Sequence, residues 1–108
     1  MLDGSMASYL IQILLPLSNN GGAPFPGADF KRVRSELTDQ FGGMTAFTRG
    51  PAEGVWEDGG EITHDNIIVF EVMADELDVR WWSDYRQMLE VRFRQESIVI
   101  RSLQTRLL

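Results

Sequence analysis

Two stripes of apolar side chains recur at one spacing, and they constrain the fold of this chain more than any other feature. Phe30, Val33, Leu37 and Phe41 stand at offsets 0, 3, 7 and 11, and Trp82, Tyr85, Leu89 and Phe93 repeat those offsets. That spacing lines four side chains along one side of an α-helix, so each stripe predicts an amphipathic helix buried on one flank. Asp29 is a suitable N-cap for the first helix, and Gly42-Gly43 ends it because glycine takes the left-handed C′ conformation without a Cβ clash. Asp75, Glu76 and Asp78 place acids in the first turn of the second helix, where the macrodipole favours them. Trp81 and Met88 widen its stripe. Trp82 belongs to the core, and Trp81 is expected against the sheet edge or a partner.

The segments around the helices read as strands. Ser8 to Leu15 is β-prone and too short for a stable helix; Pro16 and the loop from Asn19 to Gly27 follow. Met44 to Thr48 is a second strand, leading through Arg49 to Gly54 into an irregular hairpin built from Val55-Trp56, a Glu57 to Gly60 turn, and Glu61 to Thr63. Asn66 to Met73 is the third main strand and Ser97 to Leu103 the last. The order is β-α-β-β-α-β, an α+β chain with the ferredoxin-like arrangement of two helices on one face of a four-stranded antiparallel sheet. Residues 8–108 are expected to form one domain. The opening residues 1–7, with two methionines around Gly4-Ser5, read as a tag remnant and disordered start before a native start at Met6.

Composition narrows the function classes. The net charge is −6, unfavourable for non-specific nucleic-acid binding or adhesion to an anionic membrane. There is no cysteine, which excludes disulfides, thiolate metal sites and cysteine nucleophiles, and one histidine excludes a multi-histidine metal centre. The apolar run from Tyr9 to Leu17 falls far short of the roughly 20 residues of a membrane-spanning helix. It also lacks the basic flank of a signal peptide. The expectation is a cytoplasmic protein with no metal and no cofactor.

Side chains alternate across a strand, so residue parity sorts them onto two sheet faces. Tyr9, Ile11, Ile13, Leu15, Ile68, Phe70, Val72, Ile98, Ile100 and Ser102 fall on the face expected under the helices. The opposite face collects Leu10, Leu14, Ile67, Val69, Met73, Val99 and Leu103, with Gln12, Glu71 and Arg101 among them. A solvated face should alternate to polar residues, and this one does not. About seven large apolar side chains exceed what a soluble monomer leaves open, so a homodimer or higher homo-oligomer through this face is expected. Val69→Lys is expected to dissociate it without unfolding the chain.

The element order and the two-sided apolar strands resemble the dimeric α+β barrel superfamily, in which two ferredoxin-like sheets pack face to face. That superfamily includes small monooxygenases, haem-handling enzymes and amino-acid-sensing domains. The run Phe41-Gly42-Gly43-Met44-Thr45, then Gly54-Val55-Trp56 and Asp58-Gly59, also resembles small bacterial families of uncharacterised proteins. These are glycine, tryptophan and turn residues, which mark a fold and name no chemistry.

Four places bear on chemistry. Gln12, Glu71 and Arg101 lie on one apolar face, and in a sheet ordered 4-1-3-2 they come from three adjacent strands. A carboxylate there is costly unless partnered, so either Arg101 pairs with Glu71 and sets register, or Glu71 stands in a ligand pocket as a general-base candidate. His64 beside Asp65 is a second catalytic candidate, though a solvent-facing histidine beside a turn reads the same way. Trp56 either caps the core or lines a pocket mouth. The charged run Arg86, Glu90, Arg92, Arg94 and Glu96 reads as a solvated helix face with an Arg86 to Glu90 pair.

With no nucleophile–base pair, metal motif or cofactor fingerprint, the first functional reading is a homo-oligomeric module that binds a small apolar ligand or a partner. The alternative is a cofactor-independent enzyme like the barrel monooxygenases or isomerases, with its pocket on the apolar sheet face. Gln12, Glu71, Arg101 and Trp56 are the ligand-binding candidates in both.

Overall fold

The computed structural model describes residues 8–49, 54–55, 62–63 and 67–108. It contains β1 (Ser8–Pro16), α1 (Gly27–Phe41), β2 (Thr45–Arg49), β3 (Gly54–Val55), β4 (Ile62–Thr63), β5 (Ile67–Ala74), α2 (Val79–Arg92) and β6 (Val99–Thr105). Among the described residues β3 pairs with β4, and the other four strands form an antiparallel sheet ordered β2-β5-β1-β6. The main elements therefore run β-α-β-β-α-β, a ferredoxin-like α+β fold. Residues 1–7, Trp56 and His64 lie outside the described residues.

Both stripes face the sheet. Val33 and Leu37 of α1, and Trp82, Tyr85 and Leu89 of α2 with Phe93 just beyond it, are buried against Ile11, Ile13, Leu15, Phe70, Val72 and Ile98. Phe30, Phe41 and Ile100 are half-buried at the margin of this core. Trp81 is half-buried at the margin of the core. It stacks on Tyr85, with ring centroids 5.0 Å apart, and meets Phe41 edge-on at 5.3 Å.

Both helix starts differ from expectation. Helix α1 begins at Gly27 after Pro26, with no side-chain cap, and Asp29 sits inside its first turn. Proline supplies helix-compatible geometry and needs no donor at the helix entrance, so the start moves two residues upstream of the acid. In α2, Asp78 is the N-cap itself: its carboxylate accepts a 3.0 Å hydrogen bond from the Trp81 amide, and the first turn holds no acid. At the other end of α1, Gly42 adopts φ 80° and donates to the Thr38 carbonyl at 2.7 Å, the left-handed cap that glycine permits.

Candidate functional site

On the face away from the helices, strand register sets side chains in transverse rows. Gln12 of β1 pairs with Glu71 of β5 on one side and Arg101 of β6 on the other, and Thr45 of β2 continues the row beyond Glu71. The neighbouring rows are apolar: Leu103, Leu10 and Met73 above, and Val99, Leu14, Val69 and Phe47 below. A strip of polar side chains thus crosses the sheet between two hydrophobic ones.

Within the strip the contacts run in one direction. Arg101 Nε donates to Gln12 Oε1 at 2.7 Å, and Gln12 Nε2 donates to Glu71 Oε2 at 2.6 Å. Among the described residues no ion pair joins Arg101 to Glu71. Within one copy of the chain, direct pairing across the sheet gives way to an arrangement in which the central strand's carboxamide bridges the two charges. Glutamine can do this because one end of its amide donates and the other accepts.

The other Glu71 oxygen, Oε1, takes no hydrogen bond from a described residue. Beside Glu71 lies an open cleft of about 290 Å³, whose walls include Phe41, the Gly42-Gly43 turn, Met44, Thr45 and Met73. The glycines keep the turn low: a Cβ added at either would meet nothing within 4 Å, so side chains there would project into open space. The five-residue run from Phe41 to Thr45, unassigned to any chemistry by sequence, is thereby brought against the candidate carboxylate. A larger groove of about 730 Å³ opens at the far end of the face, between Leu14, Ile67 and Val99 on one side and Asn19, Asn20 and Gln95 on the other. Among the described residues it holds amides and hydroxyls but no titratable side chain.

The open face is not uniformly open. Met73, Val99 and Leu103 are exposed, and so is Phe47, which parity analysis had not included. Val69 is only 2% exposed. It lies between Leu14 and Phe47 and is already covered within one copy, so it is unsuited to probing association. Phe47 escaped notice because β2 is short and its alternation is not visible until Val69 is known to be its partner.

A second polar cluster lies between the helices, joining Arg92, expected on a solvated face, to Tyr85 of the buried stripe and to Glu36. Arg92 forms a two-point pair with Glu36, and the Tyr85 hydroxyl donates to the same carboxylate at 2.9 Å. These contacts, led by the Arg92 hydrogen bonds, hold the Glu36 carboxyl below its ordinary range, while burial first and then the Glu36 charge push the Tyr85 phenol well above its own. The Arg86 to Glu90 pair is present as expected at 2.9 Å, and Glu90 also accepts from the Ile98 amide at 3.0 Å. The Arg92, Tyr85 and Glu36 contacts join the two helices, and Glu90 ties α2 to Ile98 just ahead of β6. Among the described residues no cluster of three or more acidic or histidine side chains is arranged to hold a metal, and no helix is long and apolar enough to cross a membrane.

No protein-family model and no curated protein matches the chain. Among solved structures it is similar to a phage SAM lyase in complex with S-methyl-5'-thioadenosine, at 12% identity and a TM-score of 0.56, over 93% of this chain and 90% of that one. It is also similar to a phage SAM lyase in its apo state, at 18% identity and a TM-score of 0.54, over 96% and 84% of the two chains. At such identities the likeness is one of fold: a small α+β domain with a four-stranded antiparallel sheet.

Proposed function

We propose that this chain is a homo-oligomeric, cytoplasmic small-molecule-binding domain, with its site centred on Glu71 and closed by a second copy over the open sheet face. The observation that carries this reading is the setting of the Glu71 carboxylate, one oxygen held by Gln12 and the group as a whole lining a cleft of about 290 Å³. A carboxylate oriented by a neighbour and flanked by apolar walls suits a compact cation on an apolar body. The exposed Phe47, Met73, Val99 and Leu103 support self-association, since covering them recovers roughly 25 cal/mol per Å² of apolar surface. Face-to-face packing of this kind is what the resemblance to dimeric α+β barrels implies.

A second reading makes the same site catalytic, and the two fold neighbours favour it. S-adenosylmethionine is a compact sulfonium with an adenosine body, a member of the ligand class that suits Glu71. Breaking its bond from sulfur to the aminobutyryl carbon sends the electron pair to sulfur and releases S-methyl-5'-thioadenosine as a neutral thioether. The carbon left behind is satisfied by the substrate's own carboxylate or by loss of a neighbouring proton to Glu71. A leaving group that needs no protonation asks mainly for orientation and a site closed to water. Glu71 would face the cation, Gln12 would orient Glu71, and Arg101 has guanidinium nitrogens beyond Nε to meet a substrate carboxylate.

One experiment tests both. The protein and its Glu71→Gln variant are titrated calorimetrically with S-adenosylmethionine and S-methyl-5'-thioadenosine, and the mixtures are chromatographed after incubation. Binding that weakens at least tenfold in E71Q, without turnover, supports the binding domain. Release of S-methyl-5'-thioadenosine by the unaltered protein alone supports the enzyme. Equal binding by both proteins overturns the assignment of Glu71, and no binding by either overturns this ligand class.

A further inference from the structure

We infer that the cavity between α2 and β6 is a second binding site, for a small organic monoanion with an apolar body. It is an open cleft of about 290 Å³ on the helix-covered side of β6, lined also by Arg101 of the Glu71 row. Its origin is visible in the residues. Ser83 on the helix and Ser102 on the strand stand where side chains of leucine size would close the gap, and two hydroxyls leave it open. Ile11, Ile100 and the Trp82 ring supply apolar walls. Val79 is exposed on the rim, an apolar side chain that an entering ligand would cover.

The charge of the lining is single-signed. No carboxylate lines the cavity, in a chain whose net charge is −6. Arg86 and Arg101 both do; among the described residues only Nη1 of Arg86 is committed, to Glu90 at 2.9 Å, and only Nε of Arg101, to Gln12 at 2.7 Å. A guanidinium with donors to spare binds a carboxylate through two nitrogens, and it keeps its charge at any working pH. Ser83 and Ser102 supply further donors. The volume lies just below the roughly 300–1,000 Å³ usual for ligand pockets, which suits a ligand of arylacetate size.

The test uses phenylacetate, with phenylacetamide as the uncharged probe of the same shape, followed by two-dimensional NMR on the full chain. Saturable shifts are expected at the Trp82 indole N–H and at the Ser83, Arg86 and Ser102 amides, with phenylacetamide at least tenfold weaker. Arg86→Met should weaken the preference for the anion, and Arg86→Met with Arg101→Met should abolish it, while leaving the weaker phenylacetamide binding in place. Ser83→Leu, which fills the cavity with a good helix former, should abolish both and protects the test if Arg86→Met fails to fold. Absence of saturable shifts in the unaltered protein, shifts that map elsewhere, or equal affinity for the two probes would overturn the proposal.

Discussion

Arg92 closes on Glu36 with both terminal nitrogens, Nη1 to Oε1 at 2.7 Å and Nη2 to Oε2 at 2.8 Å, so the last turn of α2 is fastened to the second half of α1. Tyr85 adds a third donor to the same carboxylate, and Arg32 lies 3.8 Å from it. The two helices, which share no backbone hydrogen bonds, thus meet through one carboxylate above the core.

This clamp sets the pH limits of stability. Glu36 has a folded pKa below its ordinary 4.5, so its contribution is complete above pH 4.5 and is lost as pH falls through the lower folded value. Tyr85 works in the opposite direction. Its folded pKa lies above 10.0, so the unfolded chain ionises first and stability falls as pH rises past 10. Denaturant melts from pH 3 to 11 should show both declines. Glu36→Gln should remove much of the acid one and cost about 1 kcal/mol at pH 7, the carboxylate being part-exposed. Tyr85→Phe should flatten the alkaline decline.

Gln12 carries the polar row. Replacing it with glutamate sets a second negative charge directly opposite Glu71 and should destabilise the sheet by up to about 1 kcal/mol. Adding Glu71→Gln to that variant should restore much of the loss, because a carboxamide again faces a carboxylate, with their places exchanged. Thermal melts of the two single variants and the double variant measure the coupling. Additive losses would mean that the residues do not interact.

Leu103→Lys and Val69→Lys should separate association from folding. Leu103 is 48% exposed on β6, so a charge there should dissociate the proposed oligomer, read as a halved or smaller mass by light scattering, with little change in monomer stability. Val69 is 2% exposed, and a lysine there must bury an ammonium or open the packing, costing several kcal/mol. A monomeric mass for the unaltered protein at micromolar concentration would remove the oligomer from the functional reading.

Gly42→Ala forces a Cβ into a left-handed residue and should cost about 1 kcal/mol, although nothing crowds the position. If this turn also frames the Glu71 cleft as proposed, ligand affinity in the variant should fall more steeply than stability does. The same substitution at Gly43, whose backbone is not left-handed, should leave stability nearly unchanged.

What could be read from the chain beforehand was local and periodic. The two helical stripes and the parity of Ile11, Phe70 and Val72 follow from repeats of 3.6 and 2, which depend on nothing outside the element. Glu71 could be found because a carboxylate interrupts an otherwise apolar run. Its partner was harder to find: Gln12 is 59 residues away, and choosing it over Arg101 requires strand register as well as strand order. Arg92 misled for a related reason. Its spacing suits a solvated helix face, and only the position of α1 shows that Glu36 waits across the gap. Val69 needed knowledge of Phe47, on a strand of five residues, before its burial made sense.

The fixed order Arg101, Gln12, Glu71 gives the open face a positive end and a negative end. For two copies meeting through that face, the direction of the symmetry axis then has an electrostatic consequence. A two-fold axis parallel to the strands reverses the row and lays the Arg101 end of one copy over the Glu71 end of the other. An axis perpendicular to the strands, in the plane of the interface, keeps the row's direction and sets guanidinium over guanidinium and carboxylate over carboxylate. Apolar contacts alone are indifferent to this choice. Three side chains in line are enough to select the rotation, and with it whether two sites assemble from mixed residues of both copies or from like ones.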